Sequence, residues 1–206
     1  VALLDGGVVG GCDAQGRKLI GIARNNTDRL RMLVDDLLDI GKIEAGKLQL
    51  QMSRQDIMEL VGRSLELHHG YALRYDVRFV LREQVEGVDV NADALRIGQV
   101  LGNLLSNAAK FSRSGADVDV RVRCIEPGWV EIAISDQGPG IEPRHHGQLF
   151  KKFFQADGSD SRRADGTGLG LAIVKALVEA HGGQVGFTSY PGQGSVFYFR
   201  LPVATS

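Results

Sequence analysis

Three short stretches carry residues that could hold a nucleotide. In QVLGNLLSNAAKF, Asn103, Asn107 and Lys110 recur at i, i+4 and i+7 and so share one face of a helix. Val100, Leu101, Leu104, Leu105 and Ala108 make the opposite, apolar face. An amide oxygen is a hard ligand suited to Mg²⁺, which keeps waters and phosphate oxygens as its other ligands. The lysine answers phosphate charge. Taken alone, the stripe is equally consistent with a solvated helix face.

In ISDQGPGIEP, Asp136 ends an alternating apolar run and is followed by Gly138 and Gly140. A carboxylate held there can accept a hydrogen bond from the exocyclic amine of adenine. The glycines let backbone approach a flat base without a Cβ in the way. A plain turn after a strand has the same composition.

In DGTGLGLAIVKALVEAHGG, Gly166, Gly168 and Gly170 lead into a helix whose apolar stripe is Ile173, Val174, Leu177 and Val178. Helix N-termini carry unpaired N–H groups and the positive end of the dipole, which suits phosphate. The spacing is G-x-G-x-G rather than the dinucleotide G-x-G-x-x-G, and no buried strand precedes it. No G-x-x-x-x-G-K-[ST] string occurs in the chain. What remains is a polar loop, QADGSDSRRAD, ending in glycines, which reads as a lid hinged at its C-terminal end.

The elements that must position these residues follow from periodicity. Leu19, Ala23, Asn26, Leu30, Leu33, Leu37 and Ile40 step by four and three alternately, the seam of a coiled coil or antiparallel bundle, with Asn26 able to fix register. DGGVVGGCDAQG before it is a loop by composition, and VALLD reads as the tail of a partner helix. Beyond KIEAGKLQLQM, residues 47–52 alternate like a strand, 55–73 read as a helix, and YDVRFVLRE as a strand. A helix from about Ala92 to Lys110 comes next. Val118, Val120 and Val122, then Val130, Ile132 and Ile134, mark two strands joined by Glu126–Gly128 as a hairpin. Strands near 184–190 and 195–201 close the chain. The expected class is α+β, a two-layer α/β sandwich with one mixed sheet packed on three helices, preceded by a helical-hairpin remnant. The expected division is a helical region at 1–46 and a mixed domain at 47–206.

With 206 residues, 43% of them hydrophobic, the chain can bury a sizeable core. A formal net charge of −1 argues against a nucleic-acid binder, which should show a basic excess. No apolar run has the length of a membrane span and no signal peptide opens the chain. Cys12 and Cys124 lie far apart and read as free thiols. The chain begins at Val1, within an apolar stretch, as a fragment of something longer would.

Order and spacing together resemble the catalytic and ATP-binding domain of bacterial sensor histidine kinases, built on the Bergerat fold shared with gyrase, Hsp90 and MutL. NLLSNAAKF resembles that family's N box, DQGPGI its first glycine box, LFKKFFQAD its F box and GTGLGLAIVKALVEAHGG its second glycine box. PGQGSVFYFRLP resembles the closing strand, and LLDIGKIEAGKL the end of the second helix of the dimerisation and phosphotransfer domain. The likeness runs from about Leu19 to Pro202.

The resemblance implies ATP and Mg²⁺ as cofactors. Asn107 would be the Mg²⁺ ligand, with Asn103, Lys110 and Phe111 beside the phosphates or their metal. Asp136 would bind the adenine amine, with Gly138, Gly140, Ile141 and Ser195 shaping the pocket. Phe150, Phe153 and Phe154 would anchor the start of the lid, in which Arg162 and Arg163 lie within reach of a γ-phosphate. Gly166, Thr167, Gly168, Leu169, Gly170 and Leu171 would frame the phosphates, several of them through backbone N–H groups.

Hydrolysing relatives place a glutamate four residues before the metal asparagine. Here that position is Asn103, an amide that cannot act as a base, which favours phosphoryl transfer over ATP hydrolysis. The family's phosphoacceptor histidine would lie before Val1. His68, His69, His145, His146 and His181 all fall outside such a box, so the fragment is expected not to autophosphorylate. The implied partners are its own phosphotransfer bundle, a response-regulator receiver domain and a second copy in the full-length protein. The implied location is the bacterial cytoplasm, whether or not the parent protein is membrane-anchored. A catalytically silent nucleotide-binding module and a hydrolase of the same fold stay open as alternatives.

Overall fold

The heptad-like stretch forms one long helix, α1 (Ala14–Glu44), in the computed structural model, which describes residues 14–126, 128–155 and 167–204. The helix takes in Ala14, Gln15 and Gly16, which composition assigns to the preceding loop; VALLD and the rest of that loop lie outside the described residues. On the seam, Leu19, Leu30 and Leu37 are exposed in the single chain, as is Asn26. The chain divides into two compact units between Leu48 and Gln49.

The second unit opens with β1 (Ser53–Asp56), α2 (Ile57–Leu67), α3 (His69–Tyr75) and β2 (Arg78–Glu83). The strand expected at 47–52 is irregular there, and pairing begins at Ser53, antiparallel to β3 (Asp89–Ala92). The helix expected over 55–73 is two helices. The chain breaks at His68, whose backbone N–H donates to Ser64 and whose ring packs over Gly102. Asp56 caps α2 by accepting from Glu59 N–H.

After β3 come α4 (Ala94–Phe111), β4 (Asp117–Glu126), β5 (Trp129–Asp136), the short α5 (Pro143–His146), α6 (Gly170–Ala180), β6 (Gln184–Ser189) and β7 (Ser195–Pro202). The five-stranded sheet has the order β2-β4-β5-β7-β6, with β2 parallel to β4 and every other pairing antiparallel. Val118, Val120, Val122, Val130, Ile132, Ile134, Phe199 and Leu201 alternate onto one face and are buried. Against them pack the apolar faces of α4 (Ile97, Val100, Leu101, Leu104, Leu105) and α6 (Ile173, Val174, Leu177). Helices on one face of a mixed sheet make the two-layer α+β sandwich. On the opposite face arginines are engaged by carboxylates: Arg78 and Arg82 with Asp117, and Arg123 and Arg200 with the buried Glu131.

Asp93 ties the site-bearing helices to the rest of the unit. Its carboxylate caps α4 through Leu95 and Arg96 N–H and accepts Gln51 N–H at 2.9 Å. Its own N–H donates to His181 Nε2 at 3.0 Å, and His181 is the C-cap of α6.

Candidate functional site

Helix α4 links two places where backbone is left open. At one, midway along the helix, Asn103 Nδ2 donates to the Gly170 carbonyl at 3.5 Å, at the mouth of α6. At the other, the Phe111 carbonyl lies where a Cβ on Gly138 would come within 2.7 Å of it. Eight residues of helix separate these contacts by ~12 Å. The stripe Asn103, Asn107, Lys110 runs between them, each residue half-buried. The Asn107 amide makes no side-chain hydrogen bond among the described residues. Lys110 Nζ lies 5.1 Å from the Phe111 ring centroid.

Asp136 stands at the end of β5 and is buried. Its Oδ1 accepts from Gly138 N–H at 2.8 Å and from Ser195 N–H at 3.2 Å. Burial pushes the carboxyl up to about 6, opposed by those two N–H donors and the Ser195 hydroxyl. A carboxylate removed from water, with no cationic partner among the described residues, is suited to accepting from a neutral donor group.

Two backbone segments wall this carboxylate. Gly140, at φ 70°, lies so close to the Tyr190 carbonyl that a Cβ would overlap it. Gly194, at φ 81°, touches the Asp136 carbonyl in the same way. Between them Gly192 N–H donates to the Pro139 carbonyl at 2.6 Å. Ile141 closes the wall, its N–H donating to Ser189 Oγ at 2.9 Å and its carbonyl 3.0 Å from His146 Nε2.

At the mouth of α6 no side chain caps the helix among the described residues, which leaves its first N–H groups available as donors. Gly168, at φ 71°, packs against the backbone of Phe153, so the two flanks of the glycine loop are pinched together. Thr167 Oγ1 accepts Leu169 N–H at 3.0 Å, which turns that donor into the loop, and the Leu169 side chain is fully buried. Leu171 is half-buried in the first turn. Gly166, Arg162 and Arg163 lie outside the described residues.

The aromatic residues differ from simple core packing. Phe150 meets Phe187, and Phe154 meets His145, with ring centroids 6.0 Å and 5.6 Å apart. Phe153 instead is 65% exposed with φ 60°, a conformation uncommon for a large side chain. Ser189 and His146 were not among the sequence candidates. Ser189 precedes the PGQGS stretch as an ordinary strand-end serine, and its reach to Ile141 depends on a 48-residue separation. His146 carried only the signal of an adjacent histidine pair. Among the described residues no group of three His, Cys, Asp or Glu could hold a metal, and no helix is long and apolar enough to cross a membrane.

Residues 92–205 match the family model described as histidine kinase-, DNA gyrase B-, and HSP90-like ATPase. The circadian input-output histidine kinase CikA of Synechococcus elongatus is 39% identical over 92% of this chain and 25% of its own length. The virulence sensor protein BvgS of Bordetella bronchiseptica is 40% identical over 87% of the chain and 15% of its own length. The chain thus spans a quarter or less of these curated relatives. Full-length ShkA, crystallised in complex with AMPPNP, superposes with a TM-score of 0.79 at 32% identity, covering 96% of this chain and 41% of that one. The mycobacterial sensor histidine kinase MprB superposes at 0.64 with 34% identity, over 75% of this chain and 99% of that one.

Proposed function

Because the chain belongs to the histidine kinase-, DNA gyrase B- and HSP90-like ATPase family and is homologous to the ATP-binding catalytic domains of two-component sensor histidine kinases, we propose that it binds Mg²⁺-ATP along α4 and donates the γ-phosphoryl group to a protein histidine. The observation that carries this reading is the buried Asp136 carboxyl beside the C-terminal end of α4, with the mouth of α6 at Asn103 midway along the same helix. Asp136 takes the base amine, and the N–H groups at the start of α6 take phosphate oxygens, with their dipole end toward the negative charge.

The donor set fits a metal that arrives with the nucleotide. Asn107 offers one amide oxygen with no partner among the described residues, and no acidic cluster stands ready to form an all-protein cage there. Bound Mg²⁺ would neutralise phosphate charge. Asn103 and Lys110 flank Asn107 on the same face and orient the phosphate chain.

Transfer to histidine suits this set of residues. The neutral imidazole nitrogen already presents a lone pair. It forms the P–N bond as the bond from the γ-phosphorus to the bridging oxygen breaks, leaving ADP. No residue on the donor side has to remove a proton from the nucleophile, and the amide Asn103 could not. Positioning and charge neutralisation are then what the module supplies. The phosphorylated histidine would sit on a helical bundle to which the exposed α1 seam contributes, in a homodimer. A receiver-domain aspartate would take the group onward in the cytoplasm.

Calorimetry of Mg²⁺-ATP binding with Asp136→Ala and Asn107→Ala as controls tests the binding half. Radiolabelled ATP and a separately made, histidine-bearing bundle test transfer. Binding that Asp136→Ala abolishes, with acid-labile label on the bundle, supports the proposal. Binding without label leaves a silent nucleotide-binding module, and rapid phosphate release without an acceptor makes it a hydrolase.

A further inference from the structure

The two backbone segments around Asp136 are bridged by the side chain of Ser189. This residue ends β6, is buried, and has its hydroxyl at the meeting point of three groups. It accepts Ile141 N–H at 2.9 Å from the loop after β5. It donates to the Gly194 carbonyl at 3.1 Å in the turn before β7. It lies 2.9 Å from Ser195 Oγ, whose own N–H and hydroxyl both go to Asp136. Because the Ser195 proton goes to Asp136, Ser195 Oγ and the Gly194 carbonyl share the single Ser189 proton as acceptors, and the hydroxyl is fully used by these contacts.

We propose that Ser189 is a positioning residue for base recognition. By holding Ile141 against Gly194 and Ser195, it fixes where the Asp136 carboxylate meets the exocyclic amine of the nucleotide. This rests on the ATP reading of the site. Apart from the Asp136 carboxylate's own bonds to Ser195, the close contacts between the two segments at Gly140, Gly192 and Gly194 are backbone against backbone. Such contacts prevent collapse but set no hydrogen-bond direction. Ser189 does so through Ser195. His146 pins the far side of the same peptide, its Nε2 on the Ile141 carbonyl and its ring edge-on to Phe187 at 5.0 Å. Ile141 is therefore held at both its N–H and its C=O by side chains that do not themselves face the base.

The role predicts a change in discrimination rather than a uniform loss of affinity. The probe is a pair of nucleotides, ATP and purine riboside triphosphate, identical except for the exocyclic amine. Both are titrated with Mg²⁺ into wild type, Ser189→Ala, Ser189→Thr and His146→Leu, with melting temperatures measured alongside. Wild type is expected to prefer ATP by about 10- to 100-fold, the worth of one buried hydrogen bond. Ser189→Ala should narrow that preference by about fivefold or more, and Ser189→Thr, which keeps the hydroxyl, should restore most of it. His146→Leu, at a half-buried position, should narrow it by about two- to threefold and carries the test if Ser189→Ala does not fold.

An unchanged preference in Ser189→Ala, or an equal loss for both nucleotides, would make Ser189 a packing residue and overturn the inference. Wild type binding neither nucleotide would overturn the ATP reading itself, an outcome visible before any variant is compared.

Discussion

The Asn103 amide and the Gly170 carbonyl meet at 3.5 Å, so the first polar residue of the α4 stripe stands at the mouth of α6. A Cβ on Gly170 would lie 3.4 Å from Asn103 Oδ1, which leaves the two helices little room to approach further. The spacing Asn103, Asn107, Lys110 is thereby set against the helix whose N–H groups face the same space. Substitutions along this line report on the metal and phosphates; substitutions around Asp136 report on the base.

Replacing Asn107 by Ala removes an unpartnered amide oxygen and little packing. Affinity for ATP in Mg²⁺ should fall by about tenfold or more, the loss of one ligand hydrogen bond or metal contact. Affinity in excess chelator should hardly change. Calorimetry with and without Mg²⁺ reads the ratio, and a loss of equal size in both conditions would move the metal away from Asn107.

Nucleotide affinity should depend on acidity through Asp136. Burial holds this carboxyl near about 6, and the ionised form is the better acceptor for the base amine. As pH falls through about 6, protonation competes with binding, and affinity should drop by up to tenfold per further pH unit. Above pH 7 the profile should be flat. Titrations between pH 5 and 8 measure it, and Asp136→Asn should remove the dependence along with most of the binding.

The same residue should cost stability. Its folded value lies above the ordinary 3.8, so the folded chain binds the extra proton between 3.8 and about 6. The penalty is absent below about 3.8, grows as pH rises, and is complete above about 6, where it amounts to about 3 kcal/mol. Asp136→Asn should therefore melt at or above the wild-type temperature at pH 8 and lose that advantage at pH 4. A variant more stable and less able to bind is the expected trade at a functional site.

Gly140 and Gly182 separate strain from obstruction. Both have positive φ, 70° and 72°, but a Cβ on Gly140 overlaps the Tyr190 carbonyl while one on Gly182 meets nothing within 4 Å. Gly182→Ala should cost about 1–2 kcal/mol and leave ATP affinity intact. Gly140→Ala should cost more and reduce affinity, because the loop or the Tyr190 turn must move. Chemical denaturation paired with nucleotide titration distinguishes the two.

Asp93 should matter to folding rather than to binding chemistry. Desolvation raises its carboxyl, but N–H donors from Gln51, Arg96 and Leu95 outweigh it and hold the group below its ordinary value. A depressed folded value means stability that is fully present well above 3.8 and lost as pH falls below 3.8 through the lower folded value. Asp93→Ala should cost about 1–2 kcal/mol at pH 7 through the lost helix cap. In acid the difference from wild type should shrink.

The long periodic elements were legible because their patterns are strong. Helix α4 joins an apolar stripe to a polar one. The hairpin β4–β5 alternates valine and isoleucine on both strands. The strand pair β1–β3 was not legible, because SRQD and DVNA are short and mostly polar and pair across more than 30 residues of chain, from Asp56↔Asp89 to Ser53↔Ala92. The break at His68 escaped notice because its cause, the close pass over Gly102, lies in another helix. Asp136, Asn103 and Asn107 stood out through their glycine and apolar neighbours. Ser189 and His146 did not, since each works through backbone groups of Ile141 and leaves no pattern of its own.

Asp136 and Ser195 face each other across the β5–β7 ladder although they are 59 positions apart in the chain. The base pocket therefore cannot form in any piece that stops before β7. It appears only once β7 has inserted between β5 and β6, at the loop-closure cost of that separation. A nucleotide that bridges the two strands would hold the final strand in place and act as a latch on completion of the sheet. Amide exchange at Asp136–Ile141 and at Ser189–Ser195 should slow together when ATP is added.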